Sequence, residues 1–578
     1  MLKTNYLIDD IPLSEYPRPQ MVRESYLCLN GKWDFTVKKA GEEVTAYDKQ
    51  IIVPFSPECI NSGLEPTINV TPFDRLYYKK TIVLDNSWNS GVTYLHFGAV
   101  DYSCEVFVNG KRVGSHEGGY TSFFFDIAPF LVEGENNIVV AVADPTEGSC
   151  GGRGKQKTDR GAYWYTAQSG IWQTVWLENL PFNHILDIKY TPDIDSGTML
   201  VQVDCKGIKK YQVYDRENLI LSGEEEGDIL LKYDFEHWSP DNPKLYDIQI
   251  ECGDDKVKSY FAMRSCEIIA DNNGKRYLAF NKKPYFFSGL LDQGYWSDGL
   301  LTYPSDQAII DELTMVKKMG FNTLRKHIKI EPMRWYYHCD RLGIIVWQDF
   351  VNGGGEYKKH HVTTFPFLGF KHPDDDYKYF SREDERGRKR FTVEWQETVN
   401  QLKNCPCIYM WTVFNEGWGQ FDSKKIERAV KLFDPTRVVE SVSGWHDYGD
   451  ECDIKSLHIY YTALKLPIDS RPITLSEFGG YSLRITGHVY DENKDFSYKK
   501  FKTKSAFINA VKKLYGEKIL PLIAKGLNGC IYTQLSDVEE EINGLITYDR
   551  KIIKMPEDEM KILNENLYNE YKKLDIKI

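Results

Sequence analysis

The spacing of apolar positions divides the chain after residue 266. Upstream, short runs alternate apolar and polar residues. They are Leu27 to Val37 (LCLNGKWDFTV, an Asn-Gly turn leading into a strand), 77–84 (YYKKTIVL), 92–100 (VTYLHFGAV), 104–116 (CEVFVNGKRVGSH), 136–144 (NNIVVAVAD) and 171–178 (IWQTVWLE). A period of two is that of a half-buried strand, and Gly, Asn, Asp or Pro turns separate nearly every run from the next. Helical periodicity is missing, so residues 1–181 are predicted to form an all-β sandwich. Residues 182–266 repeat the pattern at short spacing (HILDIKYTP, TMLVQVDC, YQVYDRE, DILLKYDF, KLYDIQIEC, VKSYFAMRSC). That fits a small immunoglobulin-like sandwich acting as a spacer.

Over residues 267–578 strands alternate with helices. Eight apolar runs read as strands: 284–293 (PYFFSGLLDQ), 322–330 (NTLRKHIKI), 344–350 (IIVWQDF), 408–416 (IYMWTVFNE), 436–445 (TRVVESVSGW), 456–462 (SLHIYYT), 472–480 (PITLSEFGG) and 526–537 (GLNGCIYTQLSD). Between them Ile309, Leu313 and Val316 form a helical stripe, with Ser305 placed to cap it and Gly320 to end it. Phe391, Trp395, Val399 and Leu402 form another in the long helix after Ser381. The predicted architecture of this part is a (β/α)₈ barrel. A chain of 578 residues is also too long for one core.

Barrel chemistry sits at the C-terminal lip of the strands. The run Ile408 to Phe414 is apolar throughout and stops abruptly at Asn415-Glu416-Gly417. A carboxylate on the lip of a strand buried on both faces has no core role, which makes Glu416 the first catalytic candidate. The other strand ends carry Asp292-Gln293, Arg325-Lys326-His327, Gln348-Asp349, Trp445-His446, His458 with Tyr460, Glu477, and Gln534 with Asp537. Each alone has a structural explanation: a satisfied histidine, an ion-paired arginine, a core tryptophan. Their convergence on one rim implies a ligand. Glu416 and Glu477 end strands four and seven, which face each other across a closed eight-stranded barrel. Hydrolysis of a glycoside needs such a pair, one acid to protonate the leaving oxygen and one carboxylate on the other side of the ring. Metal ligation and structural ion pairing are the other roles. A metal site would bring His or Asp at fixed local spacing, and neither glutamate has such a pattern beside it.

Composition narrows the class. Hydrophobic residues make up 42% and charged residues 27%, ordinary for a soluble globular protein. The formal net charge of −12 is spread along the chain, giving no reason to expect nucleic acid or an anionic membrane as partner. No stretch approaches the roughly 20 apolar residues of a membrane span, and the first twenty residues lack a signal-peptide core, so a cytoplasmic protein is expected. The 12 cysteines are scattered, as for reduced, mostly buried thiols. The segment Gly148 to Gln156 (GSCGGRGKQ) lacks the Ser or Thr and the following helix of a phosphate loop. It reads as a long surface loop with room to lean over a neighbouring site. Residues 351–380 form a long aromatic loop, expected to wall the pocket and shape leaving-group preference. His360 and His361 within it are weak evidence for a metal.

Several segments together resemble glycoside hydrolase family 2, the group containing β-galactosidases, β-glucuronidases and β-mannosidases. GKWDF, VFVNGKRVGSHEGGYTSFFFDI (106–127) and GIWQTVWLE (170–178) resemble its jelly-roll sugar-binding domain. HWSPDNPKLYDI (237–248) resembles the end of its immunoglobulin-like domain, and FAMRSCEI with LAFNKKPYFFSG its entry into the barrel. FNE with Glu416 matches the acid/base motif and SEFGG with Glu477 the nucleophile motif. The resemblance implies a retaining two-step mechanism in which Glu477 forms a glycosyl-enzyme and Glu416 acts first as acid, then as base. Arg325 and Tyr460 would hold Glu477 ionised, and Asn415 would bond the sugar 2-hydroxyl. Asp292, His327, Asp349, Trp445 and His458 would hold the remaining hydroxyls or stack on the ring. The two carboxyl groups should lie roughly 5 Å apart.

Two departures bear on the substrate. Glucuronidases of the family carry Asn-x-Lys where this chain reads Glu541-Ile542-Asn543. Without that lysine, and with an acid that repels a uronate, a neutral sugar is expected, β-galactose by default. β-Glucuronidase, mannosidase, arabinopyranosidase and a non-catalytic carbohydrate-binding protein are the alternatives. RKHIKI departs from the family's usual Arg-x-Ser-His-Tyr at His327. The chain stops shortly after the barrel, without the extra domains of the longest β-galactosidases, so their divalent-metal requirement is not carried over. Neither a cofactor nor a metal is expected. Carbohydrate is the expected partner, with a homo-oligomer left open.

Overall fold

The computed structural model describes residues 2–148, 150–449 and 452–578. A six-stranded sheet orders Lys49–Val53, Gly31–Lys39, Asp74–Leu84, Gly134–Ala143, Ser103–Val108 and Lys111–Glu117 edge to edge. It packs on a four-stranded sheet of Leu27–Cys28, Val175–Leu180, Val92–Phe97 and Phe123–Asp126. The period-two pattern decides which residues meet. Phe35, Tyr78, Val106 and Val140 on one sheet and Phe97, Val175 and Leu177 on the other are fully buried in one core. Asn30-Gly31 is where the chain passes from the smaller sheet to the larger. Gly31 has φ of +90°, and a Cβ there would lie 2.6 Å from the Asp10 carbonyl oxygen.

The second sandwich has sheets of three and four strands between Asp187 and Phe261, closed over Ile188, Val201, Val213 and Ile250. Here the structure corrects one expectation. Cys205 and Cys252 form a disulfide between the two sheets, whereas reduced thiols were expected throughout. The partners lie 47 residues apart with no local framework around them, so the pairing had no sequence signal. No helix among the described residues is long and apolar enough to cross a membrane.

Residues preceding the first strand tie these units together. The Arg23 guanidinium donates to Glu178 at 3.2 Å and to Asp255 at 2.8 Å, joining the two sandwiches, and Gln20 reaches the Asn404 carbonyl beside the barrel at 2.8 Å. Breaking a buried pair strands the opposite charge, so Arg23→Met is expected to destabilise the protein by about 3–5 kcal/mol. Urea unfolding followed by tryptophan fluorescence measures this loss.

The barrel strands are β1 (Phe287–Asp292), β2 (Thr323–Lys326), β3 (Ile345–Asp349), β4 (Ile408–Asn415), β5 (Val438–Ser443), β6 (Lys455–Ile459), β7 (Ile473–Gly479) and β8 (Leu527–Thr533). They pair in parallel in the order β5-β4-β3-β2-β1-β8-β7-β6. β5 and β6 complete the ring without a hydrogen-bonded ladder between them. All of β4 is buried, and Leu290, Leu324, Trp347, Trp411 and Ile531 fill the core. The helix at Asp306–Lys318 starts where Ser305 accepts a hydrogen bond from the Ala308 amide and ends before Gly320, at φ +79°. The long helix spans Glu385–Leu402, capped by Asp384.

Candidate active site

The end of β4 sets the geometry. Asn415 is the last ladder residue, and the chain then turns through two left-handed residues, Glu416 at φ +50° and Gly417 at φ +74°. The Glu416 amide bonds the Ser443 carbonyl of β5 at 3.0 Å, fixing the turn to its neighbour. Opposite, Glu477 points in from β7. One carboxylate oxygen of Glu416, one of Glu477 and a ring nitrogen of His458 all lie within 4.8 Å of one another.

Arg325 is the buried post behind this pair. Its Nε and Nη2 grip both Asp349 oxygens at 3.0 and 2.9 Å, Nη1 donates to Glu477 Oε1 at 3.0 Å, and Nη2 also donates to Asn415 Oδ1 at 2.8 Å. One guanidinium therefore orients residues on β3, β4 and β7. Asn415 spends its oxygen on Arg325, leaving its buried Nδ2 without a partner among the described residues, as a donor for a ligand. Tyr460 donates its hydroxyl to Glu477 Oε2 and lies flat on Tyr498, with 3.7 Å between ring centroids. His327 Nδ1 sits 2.8 Å from Asp349, so the proton belongs on Nδ1 and Nε2 is the free acceptor. Burial drives the His327 pKa down to about 4 and keeps the ring neutral.

The two glutamates are driven apart electrostatically. Burial raises the Glu416 pKa, the Glu477 charge adds to the rise, and a 2.7 Å hydrogen bond to His458 Nδ1 opposes it. Burial would raise Glu477 as well, but His458 and Arg325 outweigh it and bring that carboxyl down to about 2. Two carboxyls in one site, one biased towards its proton and one held ionised, have the makings of an acid and a nucleophile. A cation held by Glu416, His458 and Glu477 would compete with the Arg325 guanidinium, already 3.0 Å from Glu477.

Both glutamates open into a cavity of about 330 Å³. Its wall brings together Asn415, His327, Trp445 and Tyr460 from the residues singled out in the sequence. Arg325 stands behind the wall, and three others also lie off it. Asp292, expected to hold a sugar hydroxyl, is 1% exposed and bonds Lys326 Nζ and the Gly294 amide instead. The neighbouring Lys326 turns the same way and claims it. Asp349 is likewise taken up by Arg325 and His327, behind the wall. His458, expected against the sugar, sits between the two glutamates, with Nε2 3.0 Å from Ser443 Oγ. These two orient and tune the residues that reach the cavity.

The wall also carries residues that the strand ends did not reveal. Lys155 and Tyr163 come from the first sandwich, Lys359, Val362 and Thr363 from the loop after β3, and Glu541 from the segment after β8. The glycine-rich segment is thus no surface loop. Residues 151–156 are buried, and Gly152 bridges Gly353 of the barrel. Trp418, two residues beyond Glu416, packs among Tyr163, Trp164 and Tyr357. Gln293, which the end of the first barrel strand did show, also lines the cavity, its buried Oε1 without a partner among the described residues.

A (β/α)₈ barrel with two opposed glutamates at its mouth, behind a β-sandwich that reaches into the pocket, is the architecture of a multidomain glycosidase. The chain belongs to glycoside hydrolase family 2: residues 43–181 match the family's sugar binding domain and residues 275–553 its TIM barrel domain. A protein named putative beta-glucuronidase from Formosa agariphila is 25% identical over 399 residues, covering 64% of this chain and 34% of that protein. A beta-galactosidase from Klebsiella pneumoniae is 24% identical over 411 residues, covering 64% and 36%. The chain thus matches about a third of the length of these two relatives. Among solved structures, the beta-D-glucuronidase of Dictyoglomus thermophilum has a TM-score of 0.73 at 19% identity, covering 96% of this chain and 98% of that one. Ruminococcus gnavus beta-glucuronidase has 0.73 at 17%, covering 97% and 99%.

Proposed function

We propose that the chain is a retaining exo-β-glycosidase that removes a terminal neutral sugar, with a β-galactoside as its first substrate. The separation of Glu416 and Glu477 carries the reading: oxygens within 4.8 Å match the roughly 5 Å of retaining enzymes and leave no room for the water that an inverting pair needs between them. Glu477 attacks the anomeric carbon as the bond to the leaving oxygen breaks, and Glu416 gives that oxygen its proton. Glu416, now ionised, takes a proton from water. The resulting hydroxide equivalent attacks the same carbon, and Glu477 departs as carboxylate. Asn415 Nδ2 is placed to bond the sugar beside the reacting centre.

Glu541 on the cavity wall supports a neutral glycone, because its carboxylate disfavours a uronate beside it. A β-glucuronide is the second reading, favoured by the names of the solved structures and by the Lys155 ammonium on the same wall. Initial rates on a panel of 4-nitrophenyl glycosides decide between them. Turnover of the glucuronide alone would sink the neutral assignment, and inverted configuration in the first product, read by anomeric proton NMR, would sink the retaining one.

His458 supplies a pH signature. It stabilises the anion of Glu416 and also that of Glu477, so removing it raises both carboxyl pKa values. Glu477 then gains its proton, and Glu416 loses its own, at higher pH than before. The kcat/KM profile of His458→Ala is expected to shift to higher pH on both limbs, with the maximum reduced. An unchanged profile would remove His458 from the proton balance.

A further inference from the structure

Lys155 reaches the cavity from the first sandwich, and its loop is locked onto the barrel. The amides of Arg153 and Gly154 donate to the Asn352 carbonyl at 2.7 and 3.1 Å, and the Arg153 guanidinium lies 4.8 Å from the Tyr357 ring. Gly154 has φ of +61°, and a Cβ there would come within 2.9 Å of the Ile328 carbonyl oxygen just past β2. Lys155 is 7% exposed. Its Nζ lies 5.7, 5.6 and 5.2 Å from the rings of Tyr163, Tyr165 and Trp418, and it makes no hydrogen bond or ion pair among the described residues. Ring faces stabilise the charge but accept none of the three ammonium N–H bonds.

Glu541 has the complementary problem. It is 2% exposed, takes hydrogen bonds from the Tyr165 hydroxyl and from Asn543 Nδ2 at 2.9 Å, and pairs with no cation among the described residues. Tyr165 spans the two, its hydroxyl on Glu541 and its ring beside Lys155. A buried charge without a direct hydrogen-bonded counter-ion is costly, and here one of each sign lines the cavity of Glu416 and Glu477. An anionic group placed against Lys155 would leave Glu541 the uncompensated charge. A polyol satisfies both residues, accepting from the ammonium at one hydroxyl and donating to the carboxylate from another.

We propose that Lys155 and Glu541 form a donor–acceptor pair that reads two hydroxyls of a neutral sugar, which makes Lys155, supplied by the first sandwich, a specificity-determining residue of the barrel's active site. The inference rests on the neutral glycone proposed above. The test measures kcat and KM of the parent, Lys155→Met, Lys155→Arg and Glu541→Gln on the neutral 4-nitrophenyl glycoside the parent turns over best, and on the glucuronide. Melting temperatures run alongside. A lost hydrogen bond to a charged group predicts a fall in kcat/KM of roughly 10- to 100-fold for Lys155→Met, carried mainly by KM. Lys155→Arg, which keeps the donor, is expected to recover part of the loss at a melting temperature equal to that of Lys155→Met. Glu541→Gln is expected to lower turnover of the neutral glycoside and raise that of the glucuronide relative to it. A parent that cleaves only the glucuronide overturns the neutral glycone itself. A parent active on a neutral glycoside whose Lys155→Met variant stays within twofold overturns the inference alone, as does a loss that Lys155→Arg shares in full.

Discussion

Glu477→Ala is expected to lower kcat on the best 4-nitrophenyl glycoside by on the order of 10⁵-fold, the scale on which losing a nucleophile is felt. The side chains that hydrogen-bond Glu477 cannot take over the attack. Arg325 and Tyr460 are donors, and both already face Glu477. Asp349, the nearby carboxylate, is clamped by Arg325 and His327 behind the cavity wall. Truncation leaves a gap where the carboxylate stood, on the face of the sugar away from the leaving group. Added azide should enter there and give an α-glycosyl azide by a single displacement. Stopped assays with product NMR check both parts. Residual turnover within 100-fold of the parent, or a β-azide, would take the nucleophile's role away from Glu477.

Glu416→Ala is expected to have a different signature. 4-Nitrophenolate leaves without a proton, so glycosylation should proceed close to its normal rate. Hydrolysis of the glycosyl-enzyme has lost its base and should slow by about 10²- to 10⁴-fold. The intermediate then accumulates, so kcat and KM fall together and a burst of nitrophenolate equal to the enzyme concentration precedes the steady state. Azide needs no base and should restore turnover, now as a β-glycosyl azide. For a substrate with a poor leaving group, such as an alkyl glycoside or disaccharide, the first step fails too. Opposite azide stereochemistry in the two alanine variants assigns the glutamates independently of any rate.

Much of this architecture is legible in the sequence. The break from period-two runs to strand–helix alternation placed the barrel, because a strand buried on both faces and a strand with one wet face need different residues. Glu416 and Glu477 stood out because a carboxylate ending a run as apolar as IYMWTVF has no use in a core. Asp292 misled for a related reason. Its place at a strand end was right, but a strand end has two sides, and Lys326 on the adjacent strand drew the carboxylate inward. The sequence presents His458 and Asp349 as ligand contacts because rim polarity is all that it offers. It could not show that Arg325 would gather them into a scaffold. Lys155 was hardest to foresee, since an ammonium about 260 residues from Glu416 enters the pocket only through the docking of two domains. The Cys205–Cys252 disulfide closes within one sandwich, but its partners lie 47 residues apart with no local spacing to mark them.

The left-handed backbone at Glu416 carries a consequence for how such a protein can change. A residue bearing a Cβ pays about 1 kcal/mol or more to occupy that region, and glycine almost nothing. The position on which turnover depends is therefore held against a backbone preference, and the 2.7 Å hydrogen bond between Glu416 and the buried His458 Nδ1 offsets that cost. Lineages released from the need to cleave sugars could drift to glycine at residue 416, shedding the backbone cost and the His458 contact together. The rest of the pocket, buttressed by Arg325 on three strands, would persist as a carbohydrate-binding cleft.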